Sequence, residues 1–244
     1  MSLKIKDYKS ITVLTGAGIS VASGLRSFRG PNGLWSDPDT ERLSKAQSFR
    51  EDPANCWRFW GGFREQAHAA EPNQAHLVLA QLESKIGPGQ KFTLITQNID
   101  ELHQKAGSKS VVELHGSLFK TRCSASPPDG KCDLPLYRDI ESHADAVPHC
   151  PRCAAALRPD IVLFDEMLPA EAEWLSKKAL RDCDLFIAVG TSGTVSPAAH
   201  FVEWAKYVGA HTVLVNLEAM NPPNRAFDRE VLGPAEETLA TLFG

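Results

Sequence analysis

Short apolar segments alternate with helical patterns along most of this chain, and this alternation restricts the possible folds more than any other feature. Helical patterns cover 171–180 and 200–208, and a further one at 74–84 has Asn73 as its expected N-terminal cap. The segments short and apolar enough for buried parallel strands are 11–14, 92–96, 111–114, 185–189 and 212–216. Strands that alternate with helices predict an α/β fold built on a doubly wound parallel sheet.

Two stretches interrupt this alternation. Residues 35–70 show no strand pattern and favour helices, with loops around Pro38 and Pro53, while residues 117–159 hold four clustered cysteines. We therefore expect two insertions into the sheet domain: a helical insertion and a small zinc-binding module. The remaining pieces, which would form one discontinuous Rossmann-like domain, are 1–34, 71–116 and 160–244.

The clustered cysteines are the strongest indication of a metal. Cys150 and Cys153 form a C-x-x-C knuckle, but Cys123 and Cys132 have eight residues between them, and the usual spacing is about two to four. Four thiolates would make a closed tetrahedral zinc site of the structural kind. The alternative is that only the knuckle is kept and no metal binds.

Length and charge exclude some classes of protein. The 244 residues suffice for one large domain with insertions, and a net charge of -4 provides no basic surplus for a nucleic-acid partner. No apolar run approaches the ~20 residues of a membrane helix, and the N-terminus shows no signal-peptide pattern. We therefore expect a cytoplasmic protein without a membrane partner, in which the cysteines stay reduced.

Glycines follow the first predicted strand. The run 15–20 reads Thr-Gly-Ala-Gly-Ile-Ser, so Gly16 and Gly18 come where a backbone can approach a pyrophosphate and a helix N-terminus can stabilise the anion. Val21 occupies the position of the third glycine in the usual dinucleotide fingerprint. A simple tight turn between strand and helix explains the pattern equally well.

Polar side chains follow two further predicted strands. The run 96–100 reads Thr-Gln-Asn-Ile-Asp, and its amides could bind a ribose or a carboxamide, although helix capping by Asn98 or Asp100 would also explain it. His115 follows the strand at 111–114, where an imidazole is placed for general base chemistry near neutral pH.

Other loops carry weaker signals. Gly190 and Ser192 follow one late strand and Asn216 ends the next, so these residues could bind ribose hydroxyls or only close turns. The loop 23–30 contains Phe28 followed by an arginine between glycines, which suits a segment that covers a ligand but also an ordinary surface loop.

Together and in this order, the motifs resemble the sirtuin family over nearly the whole chain, from Ile11 to about Glu218. The segments 23–29 and 73–76 are similar to the corresponding segments of the bacterial branch grouped with class III desuccinylases. The family motifs present are Gly-Ala-Gly-Ile-Ser at 16–20, Phe-Arg-Gly at 28–30, Thr-Gln-Asn-Ile-Asp at 96–100, His-Gly at 115–116 and Gly-Thr-Ser at 190–192.

The resemblance implies an NAD-dependent protein lysine deacylase that acts on acylated-lysine proteins and consumes NAD. In the family mechanism, nicotinamide leaves as the acyl oxygen attacks the ribose, and His115 would then deprotonate a ribose hydroxyl. The products are free lysine, nicotinamide and O-acyl-ADP-ribose, and Asn98 and Asp100 would face the nicotinamide. The residues implied to line the NAD site are Gly16, Ala17, Gly18, Ile19, Phe28, Arg29, Gln97, Asn98, Asp100, Gly190, Ser192 and Asn216.

Two positions depart from the family pattern. Ser27 stands where many sirtuins carry an acidic residue. The segment 161–166 resembles the family's substrate strand, which would place Val162 and Phe164 against the peptide, but Asp165 replaces its glycine. Because a strand needs no glycine, we expect Asp165 to alter the choice of peptide more than the activity.

The predicted acyl pocket also differs from that of class III relatives, whose Tyr-x-x-Arg pair holds a succinyl or malonyl carboxylate. Counting back from Glu-Pro-Asn at 71–73 puts Trp60 and Phe63 at those two positions. Indole offers one neutral donor and phenyl none, so we expect acetyl or longer uncharged acyl groups to be preferred. The alternative is a one-residue shift that lets Arg64 hold the carboxylate, as in a desuccinylase or demalonylase.

Three other functions are compatible with parts of the sequence. A dehydrogenase would share the fold and NAD but return its cofactor, whereas an ADP-ribosyltransferase would share the leaving group and label a protein. A zinc-ribbon module for nucleic acid or protein is disfavoured by the acidic balance of the chain. Nicotinamide release with acylated lysine peptides separates these functions.

Overall fold

A six-stranded parallel sheet forms the centre of the molecule, as the computed structural model of residues 2–29 and 33–243 shows. Its strands are β1 (Ser10–Thr15), β2 (Lys91–Thr96), β3 (Val111–Glu113), β7 (Leu185–Val189), β8 (His211–Asn216) and β9 (Arg229–Leu232). They are arranged in the order β3-β2-β1-β7-β8-β9, and all neighbours are parallel. This confirms the predicted doubly wound sheet, whose order reverses between β1 and β7 and leaves a crevice there.

Helices cover both faces of the sheet, which explains why its inner strands are largely buried. Within β1, Val13 packs into the cluster on one face and Leu14 into the cluster on the other. The helices on the first face are α4 (Gln74–Ser84) and α8 (Ala235–Phe243), and those on the second are α6 (Ala170–Arg181) and α7 (Phe201–Tyr207). Asn73 caps α4 as predicted, since its side chain accepts from the N–H of Ala75 at 2.9 Å. No helix among the described residues combines the length and apolarity needed to cross a membrane.

The stretch 35–70 is helical, with α1 (Pro38–Leu43), α2 (Ala46–Glu51) and α3 (Pro53–Ala69). The expectation of loops around Pro38 and Pro53 is wrong, because both prolines are the first residues of helices. A proline fits there since the first helical N–H has no partner within the helix. Asp37 and Asp52 cap these two helices by accepting from the N–H groups of Asp39 and Asn55.

A small antiparallel sheet follows the third strand almost directly. It consists of β4 (Gly116–Cys123), β5 (Tyr137–Arg138) and β6 (Leu157–Ile161), in the order β5-β4-β6. The strand β6 ends at Ile161, and within 162–166 Phe164 forms one isolated bridge, with Lys45. The resemblance of 161–166 to a substrate strand stays a prediction. Asp165 has a φ of 73°, in the left-handed region that favours glycine. Contrary to the expectation from the sequence, a glycine at this position would therefore have a physical reason. The predicted limits of the three domains stay predictions.

Candidate active site

The loop after β1 packs directly against the loop after β7, and this contact requires glycine. The N–H of Gly18 donates to the carbonyl oxygen of Gly190 at 2.9 Å. A Cβ on Gly16 would lie 2.8 Å from that same oxygen, closer than real Cβ atoms approach. These glycines are therefore needed for contact between two loops, apart from any approach of a phosphate. The helix that follows is a 3₁₀ helix, Ala17–Ser23, and it buries Ile19.

A small cavity opens where this 3₁₀ helix meets the loop after β2. The Asn98 side-chain amide donates to the Gly16 carbonyl at 3.2 Å and to the Ser20 hydroxyl at 3.1 Å. The Ser20 hydroxyl donates in turn to the Asp100 carboxylate at 2.7 Å. These bonds fix the orientation of an amide and a carboxylate side by side. The cavity is lined by Ala17, Ser20, Leu25, Arg26, Phe28, Phe63, Asn98, Ile99 and Asp100.

Two buried histidines lie close to this network, since His76 Nε2 is 3.5 Å from the Ser20 hydroxyl and His103 Nε2 is 2.9 Å from the Thr15 hydroxyl. Burial raises the pKa of Asp100, although the hydroxyl of Ser20 and the N–H of Leu102 stabilise its anion. His76 and His103 are fully buried with ring centroids 4.8 Å apart. Burial lowers the pKa of His76 to about 4 and that of His103 well below its usual value. Both imidazoles are therefore neutral at pH 7.

His115 lies at the end of β3, oriented by a main-chain carbonyl. Its Nδ1 is 2.9 Å from the carbonyl oxygen of Gln97. Because a carbonyl only accepts, we assign the proton of the neutral ring to Nδ1 and the free lone pair to Nε2. Burial lowers the pKa of His115, while the bond to Gln97 acts in the opposite direction. The imidazole is thus neutral at pH 7 and can accept a proton at Nε2.

The loops after β2, β7 and β8 meet at Thr191. The Gln97 amide donates to the Thr191 hydroxyl at 3.0 Å, and the Asn216 amide donates to the Thr191 carbonyl at 3.0 Å. Ser192 is exposed beside them, with its hydroxyl 2.8 Å from that of Thr194. The structure thus brings Gln97, Gly190, Ser192 and Asn216 to one edge of the sheet, where a ribose could bind.

Aromatic side chains form a continuous wall beside the cavity. Phe28 lies 6.0 Å from Phe63 and 5.1 Å from Trp35, between ring centroids, and Trp35 lies 4.9 Å from Phe164. No sequence motif pointed to Trp35, for which only its aromatic character was a signal, and Ser20 was not among the predicted site residues although it stands in the glycine motif. Trp60 extends the wall from the far side, 6.3 Å from Phe63.

Three other predicted residues border this wall. The N–H of Val162 donates to the His115 carbonyl at 2.9 Å, so the segment after β6 runs beside the histidine. Arg29 is exposed and places its guanidinium over the Trp35 ring at 4.9 Å. Gly30, the last residue of the Phe-Arg-Gly motif, lies outside the described residues.

The arginine next to Phe63 is engaged elsewhere. Arg64 is fully buried and forms an ion pair with Asp139 at 3.3 Å. Its guanidinium also donates to the Glu141 carbonyl at 2.6 Å and to the Thr121 hydroxyl at 3.1 Å. These partners lie in the cysteine-containing module, the stretch 117–159 that is predicted to bind zinc. The guanidinium therefore points away from the cavity that Phe63 lines.

The four clustered cysteines fit a structural zinc site. All four Sγ atoms lie within 4.8 Å of one another, with 3.5 Å between Cys123 and Cys153 and 3.7 Å between Cys132 and Cys150. Tetrahedral zinc with Zn–S bonds of about 2.3 Å requires sulfur atoms about 3.8 Å apart. The irregular spacing is accommodated by a loop closed by a bond from the N–H of Cys132 to the carbonyl of Ala125 at 2.8 Å.

Comparisons with known proteins agree with this geometry. The NAD-dependent protein deacylase of Salmonella typhimurium is 41% identical over 235 residues, which cover 94% of this chain and 81% of the relative. The mitochondrial NAD-dependent protein deacylase sirtuin-5 of Danio rerio is 38% identical over 248 residues, 95% of this chain and 81% of the relative. A solved complex of a Sir2 homolog with NAD covers 98% of this chain and 89% of its own, with 35% identity and a TM-score of 0.86. The model of the Sir2 family matches residues 16–197, and the chain belongs to this family.

Proposed function

We propose that this chain is an NAD-dependent protein lysine deacylase whose pocket accepts uncharged acyl groups. The observation that carries the activity is the single hydrogen bond from His115 Nδ1 to the Gln97 carbonyl, which leaves Nε2 free to accept a proton. NAD, when bound, supplies a ribose carbon from which nicotinamide can depart. Asn98 and Asp100 are oriented to bind the carboxamide of nicotinamide, and His115 removes a proton from a bound hydroxyl.

The aromatic wall supports the preference for uncharged acyl groups. Phe63 lines the cavity and offers no hydrogen-bond donor, while the indole N–H of Trp60 already donates to the Leu43 carbonyl at 3.2 Å. Arg64 is held by Asp139. An acyl carboxylate would therefore lose its hydration without gaining a partner, whereas each buried methylene contributes about 0.8 kcal/mol.

The zinc site is assigned a structural role in this proposal. Four thiolates leave no open coordination position, so Cys123, Cys132, Cys150 and Cys153 would hold the module together rather than activate a water. Acylated-lysine proteins are the substrates. The proposal also includes a cytoplasmic location, which is supported by thiols that require reducing conditions. It includes no nucleic-acid or membrane partner.

Steady-state kinetics with acetyl, butyryl and succinyl lysine peptides, with nicotinamide and free lysine both quantified, tests the proposal. We expect kcat/KM to be highest for an uncharged acyl group, and we expect Phe63→Arg to raise the ratio of succinyl to acetyl turnover. Phe63→Leu is the matched control, because it changes the wall without adding a charge. Best turnover of the succinyl peptide by the unaltered enzyme would contradict the acyl preference, and labelling of protein with ADP-ribose without deacylation would contradict the activity.

A further inference from the structure

We infer that Glu101 is a positioning residue for the proposed deacylation, which holds the nicotinamide-binding loop in place through the cysteine-containing module. The inference rests on the proposed function of Asp100 and His115. Glu101 follows Asp100 directly and precedes the short helix α5 (Leu102–Lys105). Its carboxylate joins the loop that carries Asp100 to the strand that begins after His115.

The backbone of Glu101 is in an unusual conformation for this residue type. Its φ is 54° and its ψ 17°, in the left-handed region that residues with a side chain rarely adopt. The side chain makes no capping bond to α5. A glycine would adopt this conformation without strain. The contacts of the Glu101 carboxylate explain why a residue with a side chain stands here instead.

The loop 97–101 is bonded to the segment 115–118 at three points. His115 Nδ1 lies 2.9 Å from the Gln97 carbonyl, and the Leu118 N–H donates to the Ile99 carbonyl at 3.0 Å. The third bond is the only one made by a side chain on the loop: the Ser117 hydroxyl donates to Glu101 Oε1 at 2.5 Å. The bonds of Ile99 and Glu101 thus hold the loop on the two sides of Asp100, and that of Glu101 is made by a side chain.

The second carboxylate oxygen of Glu101 binds the module. Arg138, in the exposed strand β5, donates to Glu101 Oε2 at 2.7 Å. The Arg138 guanidinium also lies over the Phe119 ring, 5.7 Å from its centroid. The Arg138 side chain is 64% exposed, but that of Glu101 is only 14% exposed, so the pair is better shielded from solvent than an ordinary surface ion pair.

These contacts predict a specific kinetic defect. Without the carboxylate, the loop keeps its main-chain bond through Ile99 but loses the restraint that follows Asp100 in the chain, while His115 keeps its own bond to Gln97. Binding of NAD and of nicotinamide should therefore weaken more than the chemical step. We expect Glu101→Ala to raise KM for NAD and the inhibition constant of nicotinamide about tenfold, the effect of losing a charge-assisted hydrogen bond, with kcat changed less than about threefold.

Glu71→Ala is the matched control. Its carboxylate pairs at 2.8 Å with Lys105 of the same helix α5, but on an exposed surface. We expect both constants to be unchanged in this variant. Glu101→Gln retains an acceptor for Ser117 and should give an intermediate effect, so it carries the test if Glu101→Ala does not fold.

A double-mutant cycle locates the effect. Ser117→Ala should shift the nicotinamide inhibition constant in the same direction, and the double variant with Glu101→Ala should add little further. Equal effects of Glu101→Ala and Glu71→Ala, or a fall in kcat without a change in either constant, would overturn the inference. Turnover of an acetyl-lysine peptide by the unaltered enzyme tests the proposed function separately.

Discussion

At the level of single residues, one carbonyl oxygen determines which nitrogen of His115 can act as a base. The Gln97 carbonyl can only accept a hydrogen bond, so it holds the proton on Nδ1. Gln97 also binds Thr191 through its side chain. The orientation of the imidazole is thus linked to the loop on the opposite side of the crevice.

Replacing the imidazole tests this assignment. We expect His115→Ala to lower the rate of NAD-dependent deacylation by about 10²–10⁴-fold, the usual contribution of a general base. NAD should still bind with similar affinity, measured by calorimetry, because the groups around Thr191 and Asn98 are unchanged. His200→Ala removes an exposed histidine and should be indistinguishable from the unaltered enzyme. A rate within tenfold of the unaltered enzyme would remove His115 from the mechanism.

The pH profile gives a second test of the same residue. The base must be neutral, and burial lowers the pKa of His115, so the neutral form persists below the usual titration range of histidine. We expect kcat to fall as the pH is lowered, with an apparent pKa below that of a free imidazole, about 6.5. A profile that already falls between pH 8 and 7 would contradict the neutral ring.

Residue types in the sequence predicted the candidate site better than they predicted its geometry. His115, Asn98 and Asp100 follow strands, and parallel strands bring their carboxyl ends to one edge. Asp165 could not be interpreted correctly, because its left-handed conformation depends on how the chain turns after β6. Ser20 was missed because a hydroxyl in a glycine-rich turn has many ordinary explanations.

At the level of elements, the strands predicted correctly are those with a short apolar run, most of whose residues lie inside the sheet. All six residues of β1 are buried, which makes the apolar run visible in the sequence. In contrast, β9 lies at the edge of the sheet, contains Arg229 and Glu230, and shows no apolar run. The strand β5 has only two residues, both exposed, and is defined by its pairing with β4. Such elements depend on tertiary contacts that no local pattern records.

The zinc content of the cysteine-containing module can be predicted from its geometry. We expect about one zinc per chain, because the four Sγ atoms already lie near the separations of a tetrahedral site. Cys153→Ser should weaken zinc retention, whereas Cys183→Ser should not, since Cys183 is buried beneath the main sheet. Elemental analysis of untagged protein, with a thiol assay after chelation, measures both. Protein that contains no metal after purification without chelators would refute the site.

At the scale of the whole molecule, the helical insertion and the module are joined by buried polar groups. The Trp57 indole N–H donates to the Leu157 carbonyl at 2.8 Å, and Arg64 pairs with Asp139 without solvent contact. A buried ion pair is costly to break, because removing one partner leaves the other charge unpaired. The two pieces should therefore move together, and the aromatic wall beside His115 is attached to the same insertion.

The buried histidines make the stability of the whole molecule depend on pH. His76 and His103 have a lowered pKa in the folded state and an ordinary pKa of about 6.5 when unfolded. Between these values the unfolded chain binds more protons than the folded one. The free energy of unfolding must therefore fall as pH falls below about 6.5, by up to about 1.4 kcal/mol per pH unit for each histidine.

Replacing His103 with a side chain that does not titrate separates the contribution of His103 to the pH dependence from that of other groups. Asp100 has a raised pKa, which acts in the opposite direction, but its contribution is common to all variants and cancels in a comparison. We expect His103→Gln to be less stable than the unaltered protein at pH 7, because the imidazole bond to Thr15 at 2.9 Å is lost. Between pH 6.5 and 5, however, its stability should fall less steeply, by about 1.4 kcal/mol per pH unit. Urea denaturation at several pH values measures both slopes, with exposed His200→Gln as the control. Parallel slopes for the unaltered protein and His103→Gln would mean that His103 takes up its proton without opening the fold, and the assignment of a neutral His103 would have to be abandoned.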